Sequence, residues 1–354
     1  MAAHVAHTNC LRTLSNNCGN LQYLHVPIQR TRSHLQHYLS QQRTQESRSL
    51  CAKAGSVYVD AVPGSQPTQD SKLSPWSLYD EPELYDRVFG EREFNEEVKF
   101  LMGAYARHSA QGKAGQRPES FLELGCGPAR HAVEAALQGV GLVTAVDDNP
   151  KMLEFARRHA AEAGAVVTFL HGRLEEVFGS RDALPEGFAP ADLALLPLGT
   201  LAHALTNDDA LRWLEAAGNA LRPGGLLVLE LAHPADVFDG ALIEGDEWEL
   251  DGESEGESAL KMVYGAPLDD FDPYTQILQR SVSVSSADPS EEDGWRLIGS
   301  EVVPQRVFTL QEVHLLARLA GFSIEGLYGE MNLETDLQHE EAFRLIAVLK
   351  NNRT

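Results

Sequence analysis

Residues 121–130, FLELGCGPAR, combine three features that are typical of a nucleotide site: a buried strand, a glycine-rich turn and the start of a helix. Gly125 and Gly127 allow the backbone to approach a ligand closely, and the N-terminus of the following helix faces the same point. The dinucleotide fingerprint G-x-G-x-x-G needs a third glycine at the position of Arg130. A long side chain there argues against NAD or FAD.

Two carboxylates stand where they could contact such a ligand. Asp147 ends the second predicted strand, 20 positions after Gly127. An acidic residue at that place accepts hydrogen bonds from a ribose diol. Glu123 lies at the carboxyl end of the first predicted strand, beneath the turn. Because NAD enzymes share the ribose contact, these residues predict a ribose-containing ligand without identifying it.

Strands and helices that alternate along the chain must position these residues. The predicted strands are SFLELG, GLVTAVDDN, AVVTFLHG, ADLALLPLG and LLVLELAH, and the predicted helices are ARHAVEAALQG, PKMLEFARRHAAEAG and NDDALRWLEAAGNALRPGG. Pro150 and Gly164 bound the second of these helices, and Asn207 is the predicted N-cap of the third. The alternation predicts an α/β fold: a doubly wound, mostly parallel seven-stranded sheet with helices on both faces.

The segments on either side of this pattern differ from it. Residues 76–108 predict an amphipathic helix with an aromatic lead-in. Residues 234–304 predict a small antiparallel insertion after the fifth strand, with short strands in SALKMVYGAPL, YTQILQRSVSVSS and GWRLIGSEVV. The acidic run before them, EGDEWELDGESEGE, is interpreted as a solvated loop. The alternation then resumes with helix TLQEVHLLARLAG and strands FSIEGLYG and AFRLIAVLK.

The N-terminal region has a different composition. Residues 1–54 contain six basic residues and one acidic residue. An acid-poor start with Arg and Ser is typical of an organelle transit peptide, and the alternative is an ordinary disordered tail. We therefore expect 1–54 to be a transit peptide, 55–74 a linker, and 75–350 one domain that includes the insertion. We expect a soluble product in an organelle, a chloroplast rather than a mitochondrion.

Charge and cysteine content exclude several classes of function. The net charge is −23, and subtracting the leader's +5 leaves about −28 for residues 55–354. Such a surface repels phosphate backbones, so we expect no nucleic-acid partner. No apolar run reaches the ~18 residues of a membrane helix, so no membrane is expected. Three of the four cysteines lie in or beside the leader, which leaves Cys126 alone and predicts neither a disulfide framework nor a metal site.

With these motifs, residues 75–350 resemble the class I S-adenosylmethionine-dependent methyltransferases. The first motif of that family, an acidic residue followed by x-G-x-G-x-G, is matched by Glu123, Gly125 and Gly127, with Ala129 in place of the third glycine. LRPGG before the fifth strand is a further hallmark. The resemblance implies S-adenosylmethionine as methyl donor. The residues it places at the donor are Glu123, Gly125, Cys126, Gly127, Asp147, Asp148, Met152, Arg173, Leu174 and Pro197.

Two segments, LYDRVFGEREFNEEVKFL and RVFTLQEVHLLARLAGFSIEGLYG, are similar to the branch of the family that methylates small molecules. That branch includes amino-sugar N-methyltransferases and glycine N-methyltransferase-like enzymes. The analogy implies in-line methyl transfer to N or O of a small-molecule acceptor. His203 would then be a base or a substrate contact, and Tyr79 and Tyr85 would cap the methionine end of the donor. The alternatives are a structural histidine and tyrosines of the core.

The insertion is rich in aromatic residues, which could line an apolar acceptor pocket or only join the small sheet to the core. They are Trp248, Tyr264, Phe271, Tyr274 and Trp295.

Two other functions stay open at this point. A protein of the same fold that binds the donor without turnover would keep Asp147 and the Gly-Cys-Gly turn. Two departures from the family pattern allow this alternative: Ala129 replaces a glycine, and Arg173 stands where the family often has Asp. An NAD-dependent oxidoreductase would bind nicotinamide instead, and Arg130 disfavours it. The sequence predicts no particular oligomeric state.

The composition change near residue 55 generates a test. We expect deletion of residues 1–54 to leave the stability and donor affinity of the purified protein unchanged, because the segment lacks the apolar content of a packed element. The same deletion should redirect a fluorescent fusion away from its organelle. A truncated protein that unfolds would assign the segment to the domain.

Overall fold

The computed structural model describes residues 76–109, 116–252, 257–267 and 269–354. The expected transit peptide and linker lie outside these ranges. Within the ranges, no helix has both the length and the apolar character needed to cross a membrane.

A seven-stranded sheet forms the centre of the chain. Its order is β11-β12-β5-β4-β1-β2-β3, in which β1 to β5 run parallel and β12 runs antiparallel to both of its neighbours. This confirms the predicted mostly parallel sheet. Its strands are β1 (Ser120–Leu124), β2 (Leu142–Asp147), β3 (Thr168–His171), β4 (Ala191–Leu196), β5 (Leu221–Ala232), β11 (Phe322–Tyr328) and β12 (Arg344–Asn351).

Helices cover both faces of this sheet because its strands are apolar on both sides. Phe121 of β1 packs with the helices of residues 94–108, 130–137 and 150–163 on one face, and Leu122 packs with those of residues 207–220 and 310–319 on the other. The helices are α1 (Pro82–Phe89), α2 (Phe94–His108), α3 (Arg130–Leu137), α4 (Pro150–Ala163), α5 (Leu174–Val177), α6 (Asn207–Ala220), α7 (Asp236–Asp239), α8 (Ala241–Glu244) and α9 (Leu310–Leu319).

A second sheet, antiparallel and in the order β10-β9-β7-β6, lies between β5 and α9 in the chain. The predicted solvated loop is wrong in part, because its residues 246–250 form strand β6 and pair with β7. Trp248 explains the difference, since its ring packs on Phe89 and its indole N–H donates to the Val88 carbonyl. The strands are β6 (Asp246–Leu250), β7 (Leu260–Tyr264), β8 (Phe271–Asp272), β9 (Ile277–Ala287) and β10 (Trp295–Arg306).

Two helix boundaries differ from the sequence-based expectation. The single amphipathic helix expected over residues 76–108 is divided into α1 and α2, and Gly90 caps α1. The N-cap of α6 is Thr206 rather than Asn207, because the Thr206 hydroxyl accepts from the Asp209 amide. Asn207 is instead the first helical residue, and its side-chain oxygen accepts from Arg306.

The segment before α2, residues 76–90, joins the two sheets, and we call it the cover segment. Its apolar side chains pack with those of β6, β7, β9 and β10 in one cluster. The Leu78 amide donates to the Glu301 carboxylate, with 2.8 Å between N and Oε1. On its other side the segment contacts α4, where Asn149 Nδ2 donates to the Tyr79 carbonyl at 2.7 Å.

A buried charge network fixes the end of the cover segment to the main sheet. Arg92 and Arg344 both bond Glu97 of α2 and Glu230 of β5, and Arg344 also bonds Glu330. Burial would raise the pKa of Glu230, but the two arginines outweigh it and lower that pKa to about 2. Glu230 is therefore ionised at neutral pH.

We expect Arg344→Met to lower the free energy of unfolding by about 3–5 kcal/mol, because buried carboxylates lose a shared cation. Urea denaturation at pH 7 measures the change. The matched control is Arg212→Met, which removes an exposed pair with Asp209 and should cost under about 1 kcal/mol. Equal effects of the two substitutions would contradict a stabilising role for the network.

Candidate functional site

A cavity of about 490 Å³ opens at the carboxyl ends of β1, β2 and β4, beneath the cover segment. Ligands of open α/β sheets bind at this edge. Every residue predicted for the donor or for catalysis lines the cavity: Tyr85, Glu123, Gly125, Cys126, Gly127, Asp147, Asp148, Met152, Arg173, Leu174, Pro197 and His203. The fold therefore brings together residues that are spread over 119 positions of the chain.

The glycine-rich turn between β1 and α3 forms the floor of the cavity. Gly125 and Gly127 have φ values of 65° and 48°, in the left-handed region that favours glycine. A Cβ on Gly125 would lie 2.6 Å from Cγ2 of Thr200, so no larger residue fits there. Ala129 is also left-handed, with φ of 58°, which accounts for the glycine that the resemblance expects at this position.

Asp147 connects the turn to the end of β2. Its carboxylate accepts from the Gly127 amide at 2.7 Å and from the Asn149 amide at 2.9 Å. A carboxylate has about four lone-pair positions, so two remain for a ligand. Burial raises the pKa of Asp147 above its usual value, although the two amide hydrogen bonds oppose this shift.

Glu123 and His131 lie behind the turn, where neither is exposed. Glu123 accepts from the Ala132 amide at 2.8 Å and contacts His131 Nδ1 at 3.1 Å, while His131 Nε2 contacts Glu97 at 2.8 Å. Burial would lower the pKa of His131, but the hydrogen bonds to the two carboxylates outweigh it and raise that pKa to about 9. His131 is therefore a charged link between Glu123 and Glu97.

One side of the cavity is formed by the ends of β2 and β3. Asn149 caps α4 by accepting from the Lys151 and Met152 amides, and Met152 is 2% exposed. Arg173 follows β3, and its side chain is half exposed and pairs with Glu175. A guanidinium cannot accept a hydrogen bond, so a contact with an amino group at this place would use backbone atoms.

Three aromatic rings of the cover segment close the cavity from above. The ring centroids of Tyr79 and Tyr85 are 5.6 Å apart, and those of Tyr85 and Phe89 are 4.8 Å apart. Burial raises the pKa of both tyrosines well above the usual value. They are therefore neutral hydrogen-bond donors at physiological pH.

His203 faces Tyr79 across the mouth, in a short 3-10 turn after β4 (Thr200–His203). The distance between His203 Nε2 and the Tyr79 hydroxyl is 3.2 Å. Burial lowers the pKa of His203 below its usual value. Because both groups are uncharged, one hydrogen bond joins them, and the tautomer of His203 decides which of the two donates.

The aromatic residues of the insertion do not line this cavity. Trp248 and Tyr264 pack against Phe89 from behind, with ring centroids 6.0 and 5.9 Å from it. Tyr274 is 96% exposed, and Trp295 lies beside the Lys261 ammonium. The cavity is lined instead by Tyr79, Tyr85 and Phe89 of the cover segment, and Trp248 and Tyr264 join the small sheet to that segment through Phe89.

Sequence reasoning missed several residues that line the cavity. Asp86, Phe94 and Trp213 come from α1, α2 and α6, and Arg130 comes from the start of α3. Arg130 Nε donates to Asp86 Oδ1 at 2.7 Å, and its NH2 group bonds the other carboxylate oxygen. In the sequence, Arg130 stands out only as a departure from a glycine motif, and no local pattern predicts that its partner lies 44 residues away.

Among the described residues, no group of three or more His, Cys, Asp or Glu side chains could hold a metal ion.

The central part of the chain is similar to known proteins. Residues 121–225 match the model of a methyltransferase domain. A ubiquinone biosynthesis O-methyltransferase of Methylocella silvestris is 31% identical over 107 residues, which are 30% of this chain and 37% of that protein. The chain thus matches little more than a third of its curated relative.

Solved structures share the fold over a longer range. A S-adenosylmethionine-dependent methyltransferase from Clostridium acetobutylicum has a TM-score of 0.57 and 12% identity, over 78% of this chain and all of that one. CalS10, an amino pentose methyltransferase from Micromonospora echinaspora solved with S-adenosylmethionine bound, has a TM-score of 0.53 and 18% identity, over 80% of this chain and all of that one. At these identities, the likeness concerns the fold.

The raised pKa of His131 predicts a pH-dependent contribution to stability. The group ionises at about 6.5 in the unfolded chain and at about 9 in the folded one, so its contribution is complete below pH 6.5 and is lost as pH rises to 9. We expect His131→Gln to cost about 3 kcal/mol at pH 6 and much less at pH 9.5.

Urea denaturation at the two pH values measures this difference. The control is His314→Gln, on the exposed face of α9, which should have little effect at either pH. A cost for His131→Gln that does not change with pH would contradict a charged His131.

Proposed function

We propose that this chain, which carries a methyltransferase domain of the class I, S-adenosylmethionine-dependent type, transfers the methyl group of that donor to N or O of a small-molecule acceptor. The observation that carries the proposal is the position of Asp147. Its carboxylate stands at the end of β2, held by the Gly127 and Asn149 amides, and two of its lone-pair positions are left for a ligand.

The residues of the cavity fit the donor at several points. The two left-handed glycines keep Cβ atoms away from the floor, so the backbone can contact the ligand directly. The ribose hydroxyls would donate to Asp147, and Met152 would pack against the adenine. A volume of about 490 Å³ lies within the usual range for a small-ligand site.

Methyl transfer requires alignment more than acid–base chemistry. The acceptor lone pair forms a bond to the methyl carbon while the carbon–sulfur bond breaks, and the electron pair stays on sulfur. Holding the reacting atoms in line therefore accounts for most of the catalysis. The rings of Tyr79, Tyr85 and Phe89 exclude water from this place and restrict the acceptor.

The acceptor releases a proton when it starts as an alcohol or as an ammonium ion, and His203 can receive it. Its lowered pKa keeps the imidazole neutral near pH 7. In the tautomer that donates its Nε2–H to the Tyr79 oxygen, the ring is held in position and the Nδ1 lone pair is left for the proton. Tyr85 lies next to Tyr79, and its role is to shape the acceptor site.

The size of the cavity, about 490 Å³, and the net negative charge of the chain favour a small molecule over a nucleic acid. Tyr79, Tyr85 and Phe89 of the cover segment line this cavity. The relative from Methylocella silvestris is an O-methyltransferase of ubiquinone biosynthesis, and CalS10, which shares the fold, is an amino pentose methyltransferase. The names of both proteins point to small-molecule acceptors. These relatives support the acceptor class and leave N and O as the two alternatives.

We further propose that the protein acts in a chloroplast. The support is the composition of residues 1–54, with six basic residues and one acidic residue. That segment lies outside the described residues, so the proposal rests on the sequence.

Asp147→Ala tests donor binding. The variant loses charge-assisted hydrogen bonds to the ribose, each worth roughly 1.5–3 kcal/mol, so the affinity for S-adenosylhomocysteine should fall about 10- to 100-fold. Isothermal titration measures it, and Asp208→Ala, at an exposed position of α6, is the control. A folded Asp147→Ala variant with unchanged affinity would remove the main support for this donor.

His203→Gln tests the proton acceptor. We expect kcat to fall about 10²- to 10⁴-fold while S-adenosylhomocysteine affinity stays unchanged. In the wild-type enzyme, kcat/KM should rise with pH through the pKa of His203, because only the neutral imidazole accepts a proton. Burial holds this pKa below the usual value of 6.5. The assay is methyl transfer from labelled donor to a metabolite extract. A variant that keeps the wild-type rate and pH profile would make His203 a structural residue.

A further inference from the structure

An ion pair crosses the cavity between the cover segment and the glycine-rich turn. Arg130 is the first residue of α3, and Asp86 lies in α1. Two hydrogen bonds join them, from Nε to Oδ1 and from NH2 to Oδ2. Both side chains line the cavity, with 33% and 12% of their surface exposed. A bidentate pair of this kind fixes both partners in one orientation.

The proposed methyl donor has a charged end that requires such partners. Its methionine part carries a carboxylate and an ammonium group on one carbon, so its binding site needs a cation and an anion next to each other. An isolated charge of either sign would leave the other group of the ligand without compensation.

Four of the other charged residues that line the cavity have partners. Glu123 and His131 bond each other behind the turn. Asp147 binds two amides at the ribose position, and Asp148, the fifth charged residue, follows it directly in the chain. Arg173 pairs with Glu175. Among the lining residues of the described chain, opposite charges therefore meet over the turn at Arg130 and Asp86.

The start of α3 favours an anion at the same place. Its N-cap, Ala129, supplies no side-chain hydrogen bond, and in the first turn the Ala132 amide donates to Glu123. The positive end of the helix dipole thus adds to the charge of Arg130. The cover segment is close above, since a Cβ on Gly127 would lie 3.9 Å from the Tyr85 ring, and Asp86 follows Tyr85 directly.

We propose that Arg130 and Asp86 bind the amino-acid end of the methyl donor, Arg130 through its carboxylate and Asp86 through its ammonium group. The inference rests on the proposed function. Without donor, the two side chains neutralise each other. With donor, each exchanges a hydrogen bond for one to the ligand, and the net charge of the site stays zero because the pair and the amino-acid end are both neutral overall.

This assignment gives Arg130 a function at the position where a dinucleotide fold requires glycine. The assignment also makes closure of the cover segment depend on a ligand with an intact amino-acid end, because Asp86 belongs to α1 of that segment and Arg130 to α3, which packs on the main sheet. A ligand without that end would fill the nucleoside part of the site and gain nothing from the pair.

Two ligands separate this role from a purely structural one. S-adenosylhomocysteine has the complete amino-acid end, and 5′-methylthioadenosine lacks it. Isothermal titration of both into the full chain would be carried out for wild type, Arg130→Gln and Asp86→Asn. Arg158→Gln is the matched control, because Arg158 of α4 also pairs with α1, through Glu83, on the exposed surface.

We expect Arg130→Gln and Asp86→Asn to weaken S-adenosylhomocysteine binding about 10- to 100-fold and to change 5′-methylthioadenosine binding by less than about threefold. Arg158→Gln should leave both affinities near wild type. Decarboxylated S-adenosylmethionine, which keeps the ammonium group, should bind wild type and Arg130→Gln equally and Asp86→Asn more weakly. Retained 5′-methylthioadenosine binding also shows that each variant is folded.

Equal weakening of the affinity for both ligands would show that the ion pair only holds the cover segment in place, and it would overturn the inference. An Arg130→Gln variant that binds S-adenosylhomocysteine like wild type would overturn it as well. Failure of the proposed function has a different signature. If wild type binds neither ligand, the donor is wrong, and the inference falls with it. If wild type binds S-adenosylhomocysteine and only the two variants lose it, the inference stands even where methyl transfer is not detected.

Discussion

The hydrogen bond from the Gly127 amide to the Asp147 carboxylate joins the first two strands of the sheet at their carboxyl ends. It holds the glycine-rich turn in a left-handed conformation and keeps a buried carboxylate at the edge of the cavity. Parallel strands place both residues at one edge, and the glycines leave that edge open to a ligand. The position of every other group in the cavity is defined relative to this bond.

A buried charge network supports the turn from behind. Glu123 caps α3, His131 links Glu123 to Glu97, and Glu97 shares Arg92 and Arg344 with Glu230. Glu230 in turn accepts from the Leu198 amide, which belongs to the loop before His203. Charges this deeply buried are stable only when each has a partner, so the network keeps the turn, the cover segment and the loop in one arrangement.

The sequence predicted the parts of this molecule that depend on local patterns. Alternating apolar runs and helical periods placed the sheet, and the Gly-Cys-Gly turn with Asp147 placed the cavity. It did not predict contacts made across the fold. The Arg130–Asp86 pair, the role of His131 and the break between α1 and α2 depend on residues that meet only after packing. The same holds for β6, because an acidic sequence pairs as a strand when Trp248 finds an apolar partner in Phe89.

Titration of the wild-type chain with S-adenosylhomocysteine and, separately, with NADH tests the central claim most directly. Both ligands contain an adenosine whose ribose would reach Asp147, so the comparison depends on the rest of the site. We expect saturable binding of S-adenosylhomocysteine and none of NADH, since Arg130 fills the place of the third glycine. Saturable binding of NADH without binding of S-adenosylhomocysteine would contradict the proposed donor.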